Sequence, residues 1–107
     1  MIVQIIIDDE LVEIHPEAIA KYKAGQALWM KQNKVVIGTK VKVMHEAKAG
    51  HDGWCNNFTE EMRNYVGKTL KVLELNEKHQ EWGLVLDTRK KELVNYSFPY
   101  FVLKVVK

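Results

Sequence analysis

The chain has 107 residues, 47% hydrophobic and 28% charged, with 16 basic side chains against 14 acidic and a net charge of +2. That is enough apolar material to bury one core without metal or disulfide support, which excludes the disordered and disulfide-framework classes. The longest apolar runs, Ile5-Ile6-Ile7 and Val35-Val36-Ile37, are far too short to span a bilayer, and a lone Cys55 with no secretory signal at the start predicts a cytoplasmic protein.

Residues 2–7 (Ile2, Val3, Gln4, Ile5, Ile6, Ile7) are nearly all β-branched. Asp8, Asp9 and Glu10 interrupt, and an apolar pattern resumes over residues 11–14. This predicts two short strands joined by an acidic turn, a hairpin. Pro16 then opens a helix at the position where its missing N–H costs nothing, with Glu17 facing the positive dipole end. The helix is expected to run to about residue 32. Ala18, Ile19, Tyr22, Gln26, Trp29 and Met30 share one arc, read as the buried face, whereas Glu17, Lys21, Ala24, Leu28 and Lys31 lie elsewhere. Gly25 beside that arc allows a close approach.

From Gly38 the period changes to two, and residues 39–44 read as the first strand of a second unit. A long segment, residues 45–67, carries Gly50 and Gly53 but also Trp54, Phe58, Met62, Tyr65 and Val66, so it must fold back onto something. Within it Thr59 is placed as the N-cap of a short helical turn, over Met62. Residues 68–75 alternate again, 76–80 form a polar turn, and 81–86, including Glu81, Trp82 and Gly83, read as the next strand. A polar turn at Thr88, Arg89, Lys90 and Lys91 precedes a strand from Glu92 to Tyr96. A tight turn on Pro99 and a last strand close the pattern. Short, closely spaced strands with one long early loop describe a small barrel.

Gly53-Trp54, Glu61-Met62-Arg63-Asn64-Tyr65-Val66-Gly67-Lys68, the alternating strands, and Phe98-Pro99-Tyr100-Phe101-Val102-Leu103 together resemble a group of small SH3-like barrel domains of phage and bacterial proteins. The order and ending are also similar to the mind-bomb type SH3-like repeats, which bind peptides. The resemblance covers about residues 38–106. The expected fold is mostly β (α+β), a five-stranded SH3-like barrel over residues 35–107. Residues 1–34 add an N-terminal β-hairpin and one amphipathic helix, packed on the barrel or on a partner.

Several residue sets bear on function. Trp54, Phe58, Tyr65, Tyr96 and Tyr100, with Phe98 and Phe101, are candidates for a groove between the long loop and the proline turn, where SH3 relatives stack a polyproline-type ligand. Trp54, Tyr65 and Tyr100 are the members expected to be most exposed. His45, His51, Asp52 and Cys55 invite a metal reading, but a structural zinc site shows two ligand pairs and this chain has one cysteine, so no metal is assigned. Cys55 as a nucleophile would need His51 as a base held by a third group, and no such motif is present. The basic turn Arg89, Lys90 and Lys91, with Lys68, Lys71 and Lys78 near it, suits phosphate contacts. Asp8, Asp9 and Glu10 read as a solvated turn. The charges are interspersed: residues 1–34 hold five acids and four lysines, the remainder nine acids and twelve bases.

The sequence therefore predicts a small non-enzymatic binding module without a cofactor. Its expected partner is a protein, met through the aromatic face or an exposed strand edge. If the chain is phage-encoded, that partner is a host factor. The alternative is nucleic-acid binding through the basic turn. The edge at residues 2–7 has neither Pro nor Lys to guard it and could pair with a second copy as a homodimer.

Overall fold

The computed structural model describes residues 3–7, 10–88 and 95–106. Strands β1 (Val3–Ile7) and β2 (Glu10–Ile14) form an antiparallel hairpin in which Val3 stands opposite Ile14 and Ile5 opposite Val12. Helix α1 follows at Pro16–Gln32, with Pro16 in its first turn and Glu17 and Lys31 placed to suit the helix dipole. The expected arc is the one that packs: Tyr22 and Gln26 are buried, Ala18, Ile19, Trp29 and Met30 half-buried, and Glu17, Lys21, Ala24, Leu28 and Lys31 exposed.

The remaining strands are β3 (Lys40–Val43), β4 (Thr69–Glu74), β5 (Leu84–Leu86), β6 (Ser97–Phe98) and β7 (Leu103–Val105). They build one five-stranded antiparallel sheet in the order β6-β5-β4-β3-β7. The molecule is thus α+β, with one main helix and a five-stranded sheet beside the two-stranded hairpin. The edge strands β6 and β7 are joined by a 3-10 turn at Tyr100–Val102 after Pro99. Among the described residues they do not pair with each other, so the sheet is open.

Period two sets the two faces of this sheet. Val41, Val43, Val72, Leu84, Leu86 and Leu103 point inward and are buried, while Lys40, Lys71 and Lys104 are exposed. The inner face is covered by the long loop, which places Trp54, Phe58, Met62 and Tyr65 in the core with Phe98 and Val102. Thr59 caps the short helix α2 (Glu60–Arg63) as expected, its hydroxyl accepting from the Met62 amide at 3.2 Å.

One sequence expectation changes, and others lie outside the described residues. Glu81 and Trp82 do not enter a strand. They belong to a 3-10 turn, Gln80–Trp82, because Gly83 takes a positive φ of 101° and turns the chain before β5 begins. The expected strand from Glu92 to Tyr96 lies mostly outside the described residues, as do the acids Asp8 and Asp9 and the basic turn Arg89, Lys90 and Lys91. Among the described residues no helix is long and apolar enough to cross a membrane.

Candidate functional site

The aromatic set expected at a groove divides. Trp54, Phe58 and Tyr65 are 0%, 2% and 4% exposed, so Trp54 and Tyr65 are core residues and not the exposed contacts anticipated for them. Alternation in the strands leaves one face of the sheet needing cover, and the loop's large rings supply it. Their polar atoms are all placed. Trp54 Nε1 donates to the Trp82 carbonyl at 2.7 Å, and the Tyr65 hydroxyl donates to the Thr88 carbonyl at 3.3 Å. Phe58 meets Phe98 edge to face, with ring centroids 5.6 Å apart. Tyr96 and Tyr100 are half-buried.

The chain's own helix occupies the space between the long loop and the proline turn. Tyr22 packs on Tyr100 and Phe101 with centroids at 5.2 and 6.1 Å, and Trp29 lies 6.1 Å from Tyr100. Gly25 is where the close approach happens, since a side chain there would run into the Tyr100 hydroxyl. The Tyr22 hydroxyl donates to Gln26 Oε1 at 2.7 Å and accepts from the Tyr100 amide at 3.4 Å. Burial pushes the Tyr22 phenol far above its ordinary value, the Tyr100 amide opposing this in part, so the hydroxyl remains a donor.

What stays open to solvent is the turn after β4. Trp82 is 42% exposed, and His79 stacks flat on it at 3.9 Å with an interplanar angle of 8°. The segment beneath is held through its main chain. The carbonyl of Gln80 accepts from Gln26 Nε2 at 3.0 Å, that of Glu81 from the Cys55 amide at 2.8 Å, that of Trp82 from Trp54 Nε1, and that of Gly83 from Asn76 Nδ2 at 2.9 Å. Four consecutive carbonyls are thus tied to α1, the long loop and the end of β4. On its other side His79 lines an open cleft of about 400 Å³ with Ile37, Leu75, Asn76 and the charged trio Glu74, Glu77 and Lys78. Ile37 is 66% exposed on the tight turn that follows α1, where Thr39 bonds back to Val36. Ile37, His79 and Trp82 therefore make one continuous exposed row.

The groups considered for metal or nucleophilic chemistry do not converge. His51 Nε2 lies 3.5 Å from the Asp52 carboxylate with its ring edge-on to Phe101, and His45 Nδ1 meets the Glu46 carbonyl. Cys55 is half-buried with its thiol toward the Gly53 carbonyl. Burial first and Glu81 second push that thiol up, which keeps it protonated and a poor nucleophile. Among the described residues no group of three or more His, Cys, Asp or Glu is arranged as a metal-ligand set.

Trp82 and His79 were legible only as members of a strand and a polar turn. The available signal was the Trp-Gly step, because a glycine directly after a large aromatic can end a turn and leave the ring outside. Comparison of the chain with protein-family models, with curated proteins and with solved structures finds no match in any of the three.

Proposed function

We propose that this chain is a small, non-enzymatic recognition module whose partner is a protein, received on the row formed by Ile37, His79 and Trp82. The observation that carries the reading is the preorganised tryptophan. A large ring is held in solvent by a stacked imidazole above a main chain bonded at four successive carbonyls. Exposed, rigid aromatics of this kind dominate the energetics of protein interfaces, because little freedom remains to be lost on association. Glu74 and Glu77 against the single Lys78 at the cleft favour a partner segment in which an apolar side chain is flanked by a basic one. The SH3-like reading of residues 35–107 belongs to the same proposal, supported by the strand order and by the 3-10 turn that joins the two edge strands.

The test is a paired capture from host lysate, after nuclease treatment, with tagged wild type and Trp82→Ala. The expected result is one protein retained in stoichiometric amount by the wild type and bound at least about 30-fold more weakly by the variant, the size of a hot-spot loss, with an unchanged melting temperature. Equal retention by both forms would place the contact elsewhere.

A further inference from the structure

The outward face of the sheet carries a charge arrangement that folding alone disfavours. Lys40 of β3 stands directly opposite Lys71 of β4, and Lys42 of β3 directly opposite Lys104 of β7. Lys40, Lys71 and Lys104 are exposed and Lys42 is half-buried, while Val41, Val43, Val72 and Leu103 take the inward positions between them. From strand spacing and rise, the four lysines sit within ~12 Å of one another. Like charges directly across a ladder destabilise it, and here the pattern occurs twice, once on each side of β3 and two residues apart along it.

Among the described residues no ion pair neutralises a lysine of this face. The ion pairs there join His51 to Asp52, Arg63 to Glu46 and His79 to Glu81. Asp87 follows Leu86 beside Lys71, and its amide donates to the Lys71 carbonyl at 2.9 Å, yet its carboxylate forms no ion pair with the ammonium group.

The stripe also has an aromatic neighbour. A cleft of about 590 Å³ runs between the end of α1 and β7, and its lining includes Lys42, Lys104, Val106, Asn33 and the half-buried Trp29. Asn33 Nδ2 donates to the Trp29 carbonyl at 2.9 Å, which fixes the end of the helix beside the indole. Unpaired cations in a row next to an indole within reach of a planar ligand are the two parts of a single-strand binding surface: charge for the backbone and a ring on which a base can stack.

We propose that the outward face of β7, β3 and β4 binds single-stranded nucleic acid, with Lys40, Lys42, Lys71 and Lys104 on phosphates and a base lodged against Trp29 in the adjoining cleft. A single strand is chosen over a duplex because a base reaches Trp29 only when unpaired. This face is separate from the row at Trp82 and uses none of its residues.

The experiment is fluorescence anisotropy of a labelled oligothymidylate of about 15 nucleotides, with the full chain, against wild type, Lys42→Gln/Lys104→Gln, and the variant with Lys40→Gln and Lys71→Gln added. Wild-type affinity is expected to fall about 50-fold between about 50 and 200 mM salt, as four phosphate contacts on a single strand require. The double variant should halve the salt slope and the quadruple variant should abolish binding. Both should melt at the same temperature as wild type or higher, because the substitutions relieve repulsion. Binding should quench tryptophan fluorescence in the wild type and not in Trp29→Phe. The proposal is overturned by no binding at low salt, by affinity that survives the quadruple change, by tighter binding of the matched duplex, or by equal binding of polyglutamate or of anionic vesicles.

Discussion

Gln26 is a polar residue at the centre of the helix arc, and its amide explains the exception. One end receives the Tyr22 hydroxyl and the other supplies the Gln80 carbonyl, so a buried dipole is fully used and joins α1 to the turn that displays Trp82. Gln26→Leu leaves the buried Tyr22 donor unpartnered and the Gln80 carbonyl with the Gly83 amide alone, and should cost about 2 kcal/mol. Tyr22→Phe combined with Gln26→Leu should cost clearly less than the sum of the two single changes, a coupling that a double-mutant cycle in urea measures. Tyr22 also sets an alkaline limit. Its folded phenol is raised by burial, so stability is complete below the unfolded value of about 10 and falls by about 1.4 kcal/mol per pH unit above it, where only the unfolded chain releases the proton. The Cys55 thiol, raised in the same direction, begins to contribute from about pH 8.5. Urea titrations between neutral and strongly alkaline pH should show the decline, and a flat profile would mean that Tyr22 is solvated.

Two glycines hold α1 in place, and they differ in what a side chain would strike. Gly53 has a φ of 84° and faces the Ala18 backbone, while Gly25, inside α1, faces only the tip of the Tyr100 side chain. Gly53→Ala combines backbone strain with a collision between two main chains and should cost about 3 kcal/mol or more. Gly25→Ala gains about 1 kcal/mol of helix propensity, which offsets the movement of one ring, and should stay within about 1 kcal/mol of wild type. Thermal melts of the pair decide this, and similar losses would show that the Tyr100 ring cannot yield. At this scale much was legible: Pro16 announced α1, its apolar arc named the packed face, and Thr59 announced α2. The 3-10 turn at Gln80–Trp82 was not, because its positive-φ glycine breaks a pattern that alternation reads straight through. Nor was the fate of Trp54 and Tyr65, since a loop aromatic that covers a sheet and one that faces water look alike in sequence.

Helix and sheet share their core. The radius of gyration is 13.2 Å, close to the ~13 Å expected of a single body of this length, and Tyr22 packs in the same cluster as Trp54, Phe98 and Val102. The sequence offered a division near residue 35, but the bonds that bridge it span separations such as Gln26 to Gln80 and Tyr22 to Tyr100, which no local pattern announces. A chain shortened to residues 35–107 would bare the Tyr100 and Phe101 rings and take from the Gln80 carbonyl its Gln26 donor. It should fail to give a cooperative melt, and far-ultraviolet and tryptophan signals of the full chain should unfold together. A well-folded fragment would show that α1 is an accessory.

The turn beneath Trp82 has one more consequence. Because Gln80, Glu81, Trp82 and Gly83 are gripped by their carbonyls, the fold asks little of the side chain at position 82 itself. Under the proposed recognition role, selection can therefore exchange that residue, and with it the target, at nearly constant thermal tolerance and without first repairing the scaffold.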